Sequence, residues 1–146
     1  MKLVLASDHA GYFLKNTLRD FLIQKKIDCV DLGPFSTASV DYPDFAHLLC
    51  EQIQQGRAEA GVLICGTGVG ISIAANKIKG IRAAVVSDLF SARMAKEHNN
   101  ANVLALGARI LDEEKAKRVL WAWLKAKYAG GRHQQRLDQI KNLESL

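Results

Sequence analysis

What the sequence lacks narrows it before anything present is considered. No apolar run approaches the roughly 18 residues of a membrane span, so a membrane protein is not expected. Cysteine is scarce: Cys29, Cys50 and Cys65 form no CxxC pair and leave an odd count. That pattern suits reduced thiols, not a disulfide framework. Neither HxH nor HExxH occurs, and His and Asp are scattered, so no metal site is expected. The two prolines both fall within residues 33–43 and interrupt no periodic segment. Internal repeats, low-complexity tracts and linkers are missing too, and 146 residues is the length of about one domain. We therefore expect one domain over residues 1–146.

What is there is ordinary for a globular chain, with 49% hydrophobic and 24% charged residues, which excludes a disordered tail or a collagen-like repeat. The start turns polar at Ser7-Asp8-His9 after a short apolar run, which predicts no secretory leader and a cytoplasmic location. The net charge of +5 is uneven. Residues 1–106 carry 11 Lys/Arg against 10 Asp/Glu, whereas 107–146 carry nine against five. A basic C-terminal segment is either a solvated helix surface or the footprint of an anionic partner.

Short apolar runs read as buried strands at 2–7, 27–32, 61–65, 81–86 and 103–106. Helical spacing lies between them. Residues 12–26 place Phe13, Leu14, Leu18, Phe21 and Leu22 inward, with Lys15, Arg19, Asp20 and Lys25 on the other face. Asp44 can cap a helix to about residue 55, with Phe45, Leu48, Leu49 and Ile53 inward. Further helices are expected from 71, over 89–97, over 112–127 and over 132–143. Strand–helix alternation of this kind predicts an α/β fold: a doubly wound, Rossmann-like, five-stranded parallel sheet with helices on both faces and a C-terminal helical extension. Ligands of such folds bind at the carboxyl ends of the strands. Ser7-Asp8-His9, the 65–70 loop, Ser87-Asp88 and Gly107-Ala108-Arg109 are expected there, and so is the His98-Asn99-Asn100 helix end.

The loop Cys65-Gly66-Thr67-Gly68-Val69-Gly70 follows the clearest buried strand and opens a helix. Alternate glycines let backbone amides approach a ligand, and the helix adds its positive end, so the loop reads as an anion or oxyanion cradle. A phosphate-binding Walker loop opening at Gly66 needs Gly at 71 and Lys at 72, where the chain has Ile71 and Ser72, and a Cys-based phosphatase loop needs Arg at 71. Ile71 also breaks the dinucleotide fingerprint, although Asp88 stands about where a ribose-binding acid belongs, so that reading is weakened and stays open. Cys65 sits beside a helix N-terminus, a setting that favours a thiolate, though strand-end cysteines are more often just small buried side chains. Arg132 and Arg136 share one helix face and could clamp a phosphate, with Leu137 and Ile140 docking the helix. A module binding nucleotide or nucleic acid through the glycine loop and basic tail is the competing class.

Together these segments resemble the ribose-5-phosphate isomerase type B family, which includes galactose-6-phosphate and allose-6-phosphate isomerases. The resemblance is carried by Ser7-Asp8-His9-Ala10-Gly11, Asp41-Tyr42-Pro43-Asp44, the run from Cys65 to Lys77, His98-Asn99, Asn102-Val103-Leu104 and Gly130-Gly131-Arg132-His133-Gln134-Gln135-Arg136. It implies an aldose–ketose isomerase that works through an enediolate, without metal or cofactor, on a small sugar phosphate, with neither nucleic acid nor membrane as partner. Ribose 5-phosphate is the substrate implied first, with a six-carbon sugar phosphate as the alternative. The resemblance makes Cys65 the proton-transfer base; some members carry a glutamate where this chain has Ile71. It makes Thr67 a hydroxyl-proton relay and His98 the ring-opening acid. The amides of Gly66, Gly68, Val69 and Gly70 become the oxyanion hole. Asp8, His9, Tyr42 and Asn99 become sugar contacts, and Arg109, Arg132 and Arg136 phosphate ligands. It also implies homodimers, sometimes paired into tetramers, in which His98, Asn99 and Arg109 cross to the Cys65 of a second chain.

Overall fold

The computed structural model describes residues 1–146. Strands and helices alternate as β1 Lys2–Ser7, α1 Tyr12–Gln24, β2 Asp28–Asp31, α2 Tyr42–Gln54, β3 Ala60–Cys65, α3 Val69–Asn76, β4 Ala83–Val85, α4 Leu89–Glu97, β5 Val103–Gly107 and α5 Glu113–Lys125, with α6 Arg132–Leu143 appended. All strand pairs are parallel, in the order β2-β1-β3-β5-β4. Period-two alternation sends Leu3, Leu5, Val62, Ile64, Leu104 and Leu106 to one face, under α1, α4 and α5. Val4, Ala6, Leu63 and Ala105 go to the other, under α2 and α3. Both faces are covered, so β3 and β5 are buried along their whole length. The chain leaves β1 toward β2 but leaves β3 toward β5 and β4, so the crevice of this sheet opens between the ends of β1 and β3. No helix is long and apolar enough to cross a membrane.

Two helices differ from their sequence patterns. Phe13 on α1 is 69% exposed, while Lys15 is completely buried. Lys15 turns inward because Asp31, at the end of β2, accepts its ammonium at 2.7 Å and also pairs with Arg19. Asp31 further accepts the Gly33 amide at 2.8 Å, which anchors the following loop. An ion pair compensates a burial that a lone lysine would not tolerate. Helix α2 begins at Tyr42, so Asp41 takes the cap position expected of Asp44, and Leu48 on its outer side is partly exposed. Pro43 is at home in that first turn, where its missing N–H has no partner to lose.

The strand expected over 81–86 shrinks to three residues because it lies at the sheet edge. There the Asn76 side-chain amide pairs with both backbone groups of Ala83, accepting its N–H at 2.8 Å and donating to its carbonyl at 2.9 Å.

Candidate active site

Cys65 ends β3 on the face covered by α2 and α3, and is buried. The chain must then reverse within three residues to start α3, and Gly68 makes the reversal with φ of 80°, a conformation that strains any residue with a Cβ. The reversal turns the Gly68 amide back onto Cys65, donating to Sγ at 3.2 Å. Val69 donates to Thr67 Oγ1 at 3.2 Å, which fixes that exposed hydroxyl at the loop tip. The amides of Gly66, Thr67, Gly70 and Ile71 have no acceptor within the chain. Four unpaired donors beside a thiol, at the start of a helix, form a site for developing negative charge. Ile71 itself is fully buried in the core, so its contribution here is its amide.

Other predicted residues gather around this loop. A Cβ on Gly66 would lie 2.8 Å from Arg109 Nη1, and one on Gly70 would lie 2.7 Å from the Tyr42 ring. Both side chains therefore rest directly on the loop backbone, and only glycine leaves them room. Arg109 is held there because its own amide bonds to the Gly66 carbonyl at 2.9 Å. Asp8 is buried at the end of β1; its Oδ1 accepts the Gly11 amide at 3.1 Å, and Oδ2 has no partner in the chain. His9 accepts the Val40 amide on Nδ1 at 3.2 Å, so the neutral ring carries its proton on Nε2 and presents a donor there. Val40, which selects this tautomer through its backbone, carries no sequence signal that could have revealed it.

His98 and Asn99 do not share that edge, contrary to the sequence expectation. Helix α4 runs antiparallel to the strands, so its end lies where β5 begins. Asn102 accepts the Gly61 amide through its carbonyl at 2.9 Å, at the amino end of β3. Four residue steps of β5, about 13 Å of strand, separate this edge from the Gly107 that pairs with Cys65. The predicted residues thus fall into two groups at opposite edges of the sheet.

Helix α6 joins the group at the amino edge. The left-handed Gly130 and Gly131 turn the chain back, and Ala129 is tied to the end of α4 by donating to the Glu97 carbonyl at 2.9 Å. His133 then stacks on His98 with ring centroids 4.2 Å apart and planes 18° apart. Loss of solvation first, then the positive charges of His98, Arg132 and Arg136, hold His133 below the usual histidine pKa. Sequence patterns assign His133 no role, since stacking across 35 residues leaves no local mark. Arg132 and Arg136 are exposed, and Leu137 buries the inner face of α6 while Ile140 remains partly exposed. Arg109, Arg132 and Arg136 have no carboxylate partner among the ion pairs. Arg109 stands with Cys65 in its own chain, whereas the resemblance grouped it with His98.

A cleft of about 630 Å³ lies away from both Cys65 and the glycine loop; Ile78, Arg82, Asn99, Leu137, Ile140 and Glu144 are among the residues lining it under α6. Its walls are mostly apolar, and we assign it no chemistry.

Comparison with known proteins agrees with this architecture. Residues 3–140 match the profile of a family described as Ribose/Galactose Isomerase. Ribose-5-phosphate isomerase B of Escherichia coli is 45% identical over 143 residues, 98% of this chain and 96% of that protein. A solved ribose-5-phosphate isomerase B from Clostridium thermocellum superposes with a TM-score of 0.98 at 47% identity, covering 99% of this chain and 98% of the other. The Mycoplasma genitalium enzyme, solved with bound ribulose 5-phosphate, superposes with a TM-score of 0.94 at 42% identity, over 99% and 96% of the two chains.

Proposed function

The chain belongs to the ribose/galactose isomerase family and is an aldose–ketose isomerase; from that premise we propose that it interconverts ribose 5-phosphate and ribulose 5-phosphate, with Cys65 as the proton-transfer base. The observation that carries the assignment is the Gly68 amide on Cys65 Sγ, set among four unpaired loop amides. The amide stabilises a thiolate, and the free amides face the charge that proton removal creates.

The steps balance within the substrate. The Cys65 thiolate takes the proton from C2 of the open aldose, and the electron pair moves through the new C1–C2 double bond onto O1. The loop amides hold that oxyanion. The Cys65 thiol returns its proton to C1, while Thr67 relays the O2 proton to O1, leaving a ketone at C2. Asp8 Oδ2 accepts from a sugar hydroxyl, and Tyr42 closes the loop side of the sugar. The Nε2–H of His9 and the guanidiniums of Arg109, Arg132 and Arg136 supply the donors and charge for the phosphate. Reduced thiols and a phosphorylated metabolite suit work in the cytoplasm.

His98 acts as the acid that protonates the ring oxygen as the furanose opens, and Asn99 adds a substrate contact. Because both lie a strand length from Cys65 in one chain, the site is composite. It takes its base and cradle from one chain and His98, Asn99, Arg132 and Arg136 from a second. Val69 and Ile73, exposed on α3 beside the cradle, offer apolar surface for that association. The test of the substrate is turnover of ribose, allose and galactose phosphates side by side. Ribose 5-phosphate should be preferred; preference for a six-carbon sugar would move the assignment within the same chemistry.

A further inference from the structure

We propose that Arg82 is a positioning residue for His98 and Asn99, an inference that rests on the composite site just described. Helix α4 ends without the usual glycine, and its last carbonyls need donors. The chain supplies several: His98 donates to Met94, Ala101 to Ala95, Asn100 to Lys96 and Ala129 to Glu97. To make this turn Asn100 adopts φ of 44°, in the left-handed region. No backbone amide donates to the carbonyls of Asn99 and Asn100. Arg82 takes them both. Its Nε donates to Asn99 at 3.2 Å and Asn100 at 3.1 Å, and Nη2 donates to Asn100 at 2.9 Å.

Arg82 is itself locked in place. Asn102 accepts its backbone amide on Oδ1 at 2.8 Å and donates Nδ2 to the Gly80 carbonyl at 2.8 Å. The guanidinium is half-buried and has no carboxylate in salt-bridge contact. Its charge is instead met by carbonyls at the negative end of α4. A lysine would satisfy a helix dipole as well, but the planar guanidinium holds its donors on two successive carbonyls in a fixed geometry that a flexible ammonium lacks. The clasp therefore fixes the peptide planes on both sides of Asn100, and the first of them carries the backbone of Asn99 and, through it, the helix end at His98. A shift of about 1 Å in a positioned acid costs on the order of 100-fold in rate.

The experiment uses heterodimers purified through two different affinity tags, with thermal melts to confirm folding. Arg82→Met should lower kcat/KM by about 100-fold, and Arg82→Lys, which keeps the charge but loses the fork, by about 10-fold. Cys65→Ala paired with His98→Asn is the control; one of its two sites is intact, so about half of the native activity should return. Arg82→Met paired with Cys65→Ala should recover to the same level, because the intact Cys65 meets an intact Arg82–His98 turn from the other chain. Arg82→Met paired with His98→Asn should recover nothing, since both sites then have a damaged turn. If the control recovers but the Arg82→Met/Cys65→Ala pair does not, the substitution reaches its own Cys65 loop, and the local positioning role is wrong. Native turnover of Arg82→Met also overturns it. A control that fails to recover removes the composite site instead. Should Arg82→Met not fold, the same pairings are made with Arg82→Lys, for which the same recoveries are expected.

Discussion

Replacing Cys65 separates its chemical role from its structural one. In Cys65→Ala, the Gly68 amide loses its acceptor at a buried position. An orphaned buried N–H costs about 1–3 kcal/mol, so the melt should shift down by a measurable but survivable amount. Under the proposed mechanism, turnover also loses its base. General acid–base catalysis contributes at least about 100-fold, equivalent to roughly 2.7 kcal/mol of barrier. Cys65→Ser distinguishes the two effects. Its hydroxyl can accept the Gly68 amide and restore most of the stability, but serine is far too weakly acidic to supply an anion at neutral pH. The expected pattern is a serine variant that melts close to the native protein and turns over as poorly as the alanine variant. The assays are a thermal melt and initial rates of ribulose 5-phosphate formation. Alkylation should also inactivate the native enzyme, with substrate protecting. If folded Cys65→Ala works at near-native rates, the thiol is not the base; if Cys65→Ser recovers activity along with stability, the thiol acts only by holding the loop.

Other substitutions test the remaining parts. Arg132→Ala and Arg136→Ala should each lower kcat/KM for the phosphorylated sugar by about 10- to 150-fold, the worth of a charged hydrogen bond at 1.5–3 kcal/mol, and hardly affect unphosphorylated ribose; equal losses on both would make the arginines structural. Sedimentation should show a dimer or larger assembly at assay concentration, and a fully active monomer would rule out the composite site. Lys15→Met removes the buried partner of the Asp31 carboxylate, which keeps Arg19 at 3.3 Å and the Gly33 amide, and should cost about 1.5–3 kcal/mol in denaturant unfolding, whereas an unchanged midpoint would mean that the pair contributes nothing. His133 is held below the ordinary histidine range in the folded chain, so its stabilising contribution is complete above that range and is lost as pH falls through the folded value. The acid loss of thermal stability between roughly pH 7 and pH 5 should therefore be shallower in His133→Gln, and superimposable curves would remove His133 from the account.

The sheet was legible because its strands are nearly continuous apolar runs, and period and glycine placement mark their ends. The Cys65 loop was legible for the same local reason: its chemistry sits in six consecutive residues. The failures are of longer range. Lys15 reads as a surface residue until Asp31, 16 positions later, is brought beneath it. Residue type alone puts His98 at the wrong edge because it says nothing about the direction of a helix; in a parallel sheet each connecting helix must run back, so its last residues belong with the next strand's beginning. The Arg82 fork and the Val40 amide act through backbone groups, which every residue has, and so leave no mark in composition or spacing.

The Asn76 amide has a consequence for how copies of this chain can meet. Bonded to both outward backbone groups of Ala83, it behaves as a one-residue substitute for a sixth strand. The opposite edge, β2, is four residues long with an aspartate at each end. Neither margin therefore offers the row of free amides and carbonyls that recruits another polypeptide by strand addition, the route to fibrils and open-ended stacking. Association is left to side-chain surfaces, whose fit to one another can close on a small number of copies and stop.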